Sequence, residues 1–193
     1  SIQARGTVLA GLTANMKDLR DLLRACWIAR SASPRVRDLI EGHGELWSAQ
    51  ILWAVLREKA GKRPISWLDA RDILVARPTE GRSNRKVIDF NASRRNLTDW
   101  IKSNPVNFVV ATGFVCQDPE GVPSTLGRNG SDYSAASFAN LLCAQELQIW
   151  TDVSGVMSAD PGIVRDARPL ERLSYMEALE LANFGARMFH PRT

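Results

Sequence analysis

Arg128, Ser131 and Asp132 fall within five positions of one another in STLGRNGSDYSAA (Ser124–Ala136), with Gly127 before them and Gly130 among them. Residues of these types suit the recognition of a small anion. An arginine offers a planar fork that grips a carboxylate through two hydrogen bonds. Ser131 is a good N-cap and Asp132 then falls in the first turn of a helix running from about 132 to 144. The first amide N–H groups of that helix point outward with a partial positive charge, a ready seat for an anion. Gly127 and Gly130 admit positive φ and let a ligand come close to the main chain. The competing account is simpler: a well-capped helix behind a flexible, glycine-rich loop.

The elements around this turn set its context. Leu19, Leu22, Leu23, Cys26 and Trp27 recur at helical spacing and predict a helix over 16–29. SASP (Ser31–Pro34) breaks it, and Pro34 suits the first turn of a second helix over about 35–59. Gly42 and Gly44 interrupt that helix, each at a cost of up to roughly 1 kcal/mol against alanine. From residue 61 onward the texture changes. ISWLDA (65–70), ILVA (73–76), KVIDF (86–90), NFVVATGF (107–114) and LQIWTD (147–152) are short apolar runs bounded by turn residues, as buried strands are. Helices are expected over 96–103, 132–144 and 175–189. Strands alternating with helices predict an α/β fold, a mostly parallel sheet covered by helices on both faces. In such sheets ligands gather at the carboxyl ends of strands, which is where NFVVATGF leads into the glycine turn.

Composition excludes several classes. The 193 residues are 45% hydrophobic and 24% charged, an ordinary globular balance. No apolar run approaches the roughly 20 residues that a bilayer span needs, so no membrane partner is expected. The N-terminus lacks the pattern of a signal peptide, and a cytoplasmic location follows. The formal charge of +4 is scattered among acids rather than gathered in a block, which argues against a nucleic-acid partner and fits small anionic ligands. Three cysteines with no Cys-x-x-Cys pair, and only two histidines, argue against a zinc site, and no protein metal ligands are assigned. Cys26, Cys116 and Cys143 are expected to be buried, reduced thiols.

TLGRNGSDYSAA, followed by QIWTDVSGVMSADP and FGARMFHPRT, resembles the aspartate kinase family of amino-acid kinases. The upstream GHGELWSAQ (Gly42–Gln50) and WLDARD (Trp67–Asp72) match in the same order. The resemblance implies the amino-acid kinase-like (carbamate kinase-like) fold. It also implies transfer of the ATP γ-phosphoryl group to the side-chain carboxylate of L-aspartate, with Mg²⁺. By resemblance, Arg128 and Asp132 carry the catalytic work. Arg128 holds a carboxylate of aspartate and Glu45 helps bind its ammonium group. Asp132, with the backbone at Gly130 and Ser131, orients the substrate, and Phe114 lines the pocket. On the nucleotide side the resemblance points to Thr151 and Asp152 at a strand end. There the loop 155–160, with Met157 and Asp160, wraps the nucleotide, and Arg187 reaches a phosphate. His43 is assigned no chemistry.

The pattern also departs from the family. Asn129 stands where many members have glycine, a form that resembles bifunctional aspartokinases. Gly162 and Arg187 replace a common arginine and lysine. The KFGGTS-like segment that opens family members is absent. The expectation is therefore a partial catalytic domain, truncated at the N-terminus, with a mainly helical part (1–60) and an α/β part (61–193), no regulatory domain and impaired turnover. A homo-oligomer is compatible with the full-length parent. Two other readings stand beside it: a kinase for another acceptor such as glutamate, and a non-catalytic binding module on the same fold.

Overall fold

Ser33 sets the first corner of the fold. Its hydroxyl accepts a hydrogen bond from the Val36 N–H (3.3 Å) and Pro34 follows at the first helical position, an arrangement worth about 1 kcal/mol to a helix start. A computed structural model gives the architecture and describes residues 2–79, 86–104, 107–151 and 155–183. Helix α1 spans Ile2–Ala29 and α2 spans Pro34–Lys59. α1 begins well before the periodic leucines, and it packs against α2. Neither Gly42 nor Gly44 breaks α2. Gly42 has a packing reason, because a Cβ there would lie 2.9 Å from Val115 Cγ1.

The α/β part follows as β1 (Ser66–Leu68), α3 (Ala70–Ile73), β2 (Ala76–Pro78), β3 (Lys86–Ile88), α4 (Phe90–Ser103), β4 (Val109–Ala111), β5 (Val115–Gln117), β6 (Pro123–Thr125), α5 (Gly130–Leu141) and α6 (Tyr175–Asn183). β1 and β4 pair in parallel, Leu68 opposite Ala111, and a parallel bridge joins Val75 to Gln117. β2 with β3 and β5 with β6 pair antiparallel. α2 lies against β1, β4 and β6, α3 and α5 lie against β5, and α4 packs on α3 and α5. The core gathers Leu46, Leu68, Ile73, Leu74, Ile88, Leu97, Val115, Leu126, Tyr133 and Leu141 between these elements.

Several expected boundaries move, each for a local reason. Ile73 closes α3 rather than opening a strand, because Asp69 caps that short helix through the Arg71 N–H (2.9 Å). α4 starts at Phe90 because Asp89 accepts from the Ala92 N–H (3.0 Å). The run expected as one strand over 107–114 ends at Ala111, then turns through Thr112–Phe114 into β5. Residues 147–151 form no strand, since no described strand lies alongside them to share hydrogen bonds. α6 is described as far as Asn183, and the remainder of the helix expected to 189 lies outside the described residues. Among the described residues no helix is long and apolar enough to cross a membrane.

Candidate active site

The parallel ladder delivers its chain end to the glycine turn. After β4, Thr112 is buried and its Oγ1 accepts from the Ala70 N–H (2.7 Å), which locks the end of β4 to the start of α3. Phe114 then adopts φ 68°, a left-handed conformation that is costly for an aromatic residue and clusters at functional sites. It is held there from both sides of its peptide. Its N–H donates to Ser134 Oγ (3.1 Å), and its carbonyl accepts from the Leu126 N–H (2.8 Å). The strand end and the start of α5 are thus stitched together.

Between Leu126 and α5 the turn is tight. Gly127 has φ 79° and its carbonyl accepts from the Gly130 N–H (2.9 Å). Asn129 has φ 55° and is the N-cap of α5, without a side-chain capping bond. This corrects the assignment of the cap to Ser131, which sits inside the first turn beside Asp132; asparagine tolerates the left-handed backbone that the corner requires. Gly130 is there for closeness rather than for φ. A Cβ on it would lie 2.9 Å from Phe114 Cδ2 and 3.0 Å from Leu126 Cβ. Gly113 is similarly crowded, with Ser131 Cβ and Ser134 Oγ each 3.3 Å from a Cβ built there.

Arg128, Phe114, Gly130, Ser131 and Asp132 therefore converge on one corner at the carboxyl end of β4. Arg128 is exposed, and its guanidinium has no hydrogen bond or ion pair among the described residues. The N–H groups of Ser131 and Asp132 likewise find no acceptor among the described residues. Glu45 is half-buried on α2, one turn beyond the Gly42–Val115 contact, and its carboxylate is unpaired among the described residues. His43 is engaged structurally, with Nδ1 2.6 Å from the Leu39 carbonyl and its ring edge-on to Trp47.

The nucleotide candidates do not join this corner in the same way. Thr151 is exposed. Met157 bridges to Pro169 in a small local pairing. Asp160 closes its own turn, accepting from the Gly162 N–H (2.8 Å). No hydrogen bond or ion pair among the described residues ties Met157 or Asp160 to the Arg128 turn. Asp152 and Arg187 lie outside the described residues.

Sequence reasoning missed a polar cluster behind the turn. Lys86 Nζ donates to Asp38 Oδ2 (2.6 Å), Ser124 Oγ (2.5 Å) and the Thr125 carbonyl (2.9 Å). Ser124 Oγ and the Thr125 N–H donate to the same Asp38 oxygen, at 2.8 and 3.3 Å. Burial pushes the Asp38 carboxyl up, but the hydrogen bonds from Lys86 and Ser124 and the Lys86 charge outweigh it and hold it below its ordinary value. These residues stand far apart in the chain in unremarkable local settings, so no sequence pattern announced them.

A cavity of about 680 Å³ lies at the opposite end of the ladder, around Trp53, Arg63 and Ser66, and touches none of the candidate residues. A mainly apolar groove of about 560 Å³ lies between α4, β4 and α5 and borders Gly113 and Ser131. The thiols also differ from expectation. Cys116 is buried, and that burial pushes its thiol up to about 12, whereas Cys26 is half-buried and Cys143 exposed.

Residues 3–193 match the amino acid kinase family. The chain belongs to that family. It is 46% identical over 185 residues to the bifunctional aspartokinase/homoserine dehydrogenase 2, chloroplastic, of Arabidopsis thaliana, a match that takes in 96% of this chain and 20% of the relative. Among solved structures it resembles Escherichia coli aspartokinase III in complex with aspartate and ADP (R-state), with a TM-score of 0.83 and 31% identity. The lysine- and aspartate-bound T-state of the same protein gives a TM-score of 0.77 at 30% identity. Each match covers 96% of this chain and 40% of the solved one. The chain thus spans about a fifth of that plant relative's length.

Proposed function

We propose that this chain carries the aspartate site of an aspartokinase, which phosphorylates the side-chain carboxylate of L-aspartate at the expense of ATP and begins the route to lysine, threonine and methionine. The observation that supports it best is the corner at residues 127–132. There a guanidinium without a partner among the described residues stands beside helix N–H groups that find no acceptor among them, at a strand's carboxyl end. Relatives named as aspartokinases, one of them solved with aspartate and ADP, support the same choice of substrate.

In this reading Arg128 holds one carboxylate of aspartate through two charge-assisted hydrogen bonds. The amide groups of Ser131 and Asp132 add partial positive charge at the same place. Glu45 answers the substrate ammonium group. Fixed in this way, an oxygen of the reacting carboxylate attacks the γ-phosphorus as the bond to the bridging oxygen of ADP breaks. Alignment and charge supply most of the rate enhancement for such a transfer.

Thr151, Asp152, Met157, Asp160 and Arg187 are the proposed nucleotide contacts. A magnesium ion is proposed to arrive with the nucleotide, held mainly by its phosphates. When bound, Mg²⁺ neutralises phosphate charge. Magnesium prefers oxygen ligands, and the Asp132 carboxylate would be the charged oxygen donor nearest to it among the described residues of this corner. We place the protein in the cytoplasm; the chloroplastic plant relatives make a plastid the competing setting.

Calorimetric titration with L-aspartate, L-glutamate and ADP tests the proposal. Aspartate is expected to bind and glutamate to bind at least tenfold more weakly. Arg128→Ala is expected to weaken aspartate binding roughly ten- to a hundredfold and to leave ADP binding within about twofold of the parent. Equal loss of both ligands would place Arg128 in the wrong half of the site, and a parent that binds neither would favour the non-catalytic module.

A further inference from the structure

Strand β3 touches the Arg128 turn on both flanks. On the entering side Lys86 grips Ser124 Oγ and the Thr125 carbonyl, the last two residues of β6. On the leaving side the Ile88 N–H donates to the hydroxyl of Tyr133 (3.1 Å), the residue directly after Asp132. Asp38 draws α2 into the same arrangement, since Lys86, Ser124 and the Thr125 N–H all donate to its Oδ2. Glu45 follows Asp38 by seven residues on α2, about two helical turns. One cluster therefore joins the helix that bears Glu45 to the entry of the turn that bears Arg128.

We propose that Lys86 is a positioning residue for the aspartate corner: through Asp38 and Ser124 it fixes the 126–132 turn relative to Glu45 before any ligand arrives. This inference rests on the aspartate-binding reading above. Lys86 is turned into the Asp38–Ser124 cluster, with side-chain exposure of 24%, matched by Asp38, and acts through the turn rather than on substrate. Its effect is preorganisation. A turn already held in its bound shape has less freedom to lose on binding, and affinity rises accordingly. Removing the ammonium group leaves the partly buried Asp38 carboxylate and the Thr125 carbonyl short of donors, and the entry to the turn slackens.

The experiment compares the parent chain with Lys86→Met, Lys86→Arg and Ser124→Ala. Aspartate affinity is read by calorimetry and backbone amide exchange by mass spectrometry. Lys86→Met is expected to weaken aspartate binding about tenfold and to speed exchange at 126–132, with exchange across α4 unchanged. Lys86→Arg, which keeps charge and donors, is expected to recover most of that loss. Ser124→Ala is expected to cost about threefold, and it carries the test if Lys86→Met does not fold. Parent-like affinity and exchange in these variants would overturn the positioning role while leaving the aspartate site standing. Faster exchange everywhere, with no rescue by arginine, would reduce Lys86 to general stability and overturn it too. A parent chain that binds no aspartate overturns the proposed function, and this inference falls with it.

Discussion

Residues 66–141 and residues 142–183 are written in a similar style, short apolar runs between turns, yet they settle differently. The first region is tied together over long distances in sequence. Ile88 reaches Tyr133 across 45 residues, Ala70 reaches Thr112 across 42, and Ser124 reaches Asp38 across 86. The second is held by local bonds. Asp160 binds Gly162, Ser158 binds Arg168, and Ser174 and Glu177 cap α6 reciprocally. Several of its large apolar residues stay in solvent, with Trp150 89%, Ile163 82% and Tyr175 98% exposed. The lesson concerns function as much as packing. Distant elements meet behind the Arg128 corner, whereas Met157 and Asp160 sit on a segment whose described hydrogen bonds are local.

That contrast can be broken most easily at Gly130. Gly130→Ala drives a methyl group into Phe114 and Leu126, and overpacking of this kind costs about 1–3 kcal/mol. Urea unfolding followed by circular dichroism should show the loss. Stability equal to the parent would mean that the corner yields easily.

Asp38 gives a smaller effect with a distinctive dependence on pH. Its carboxyl is held below the ordinary value in the folded protein, by hydrogen bonds from Lys86 and Ser124 that outweigh burial. The stabilisation is therefore present above the unfolded pKa, about 4, and is lost as pH falls through the folded value. Asp38→Asn should destabilise at pH 7, and the difference from the parent should shrink as pH falls below about 4. A penalty independent of pH would assign the loss to shape rather than charge.

At the small end lies Trp150. With its ring almost wholly in solvent, Trp150→Ala should move the unfolding free energy by no more than about 0.5 kcal/mol. A loss of 2 kcal/mol or more would show that the two regions are packed alike after all.

Much of the fold was legible because its signals are local. Leu19, Leu22, Leu23 and Trp27 announced α1, Pro34 announced the start of α2, and VVA and KVI announced β4 and β3. The turn at Gly127–Asp132 was legible for the same reason, since glycine, asparagine and a capping pattern act over a few residues. Its cap was misplaced because Asn129 and Ser131 are equally good caps by type, and only the close approach of Phe114 and Leu126 at Gly130 shows that the helix starts sooner. The Asp38–Lys86–Ser124 cluster was illegible, because three common residues on three elements carry no shared spacing. LQIWTD shows the opposite failure: its strand propensity was plain, but residues 147–151 find no strand to bond among the described residues.

The buried thiol of Cys116 offers a practical consequence. With its ionisation pushed up to about 12 by burial, Cys116 presents very little thiolate near neutral pH. A maleimide will therefore mark the exposed Cys143 first and pass Cys116 by until β5 comes loose from its neighbours. Cys116 lies two residues from Phe114, so its labelling rate clocks how often the floor beneath the Arg128 corner opens. A ligand seated above that floor should slow the clock.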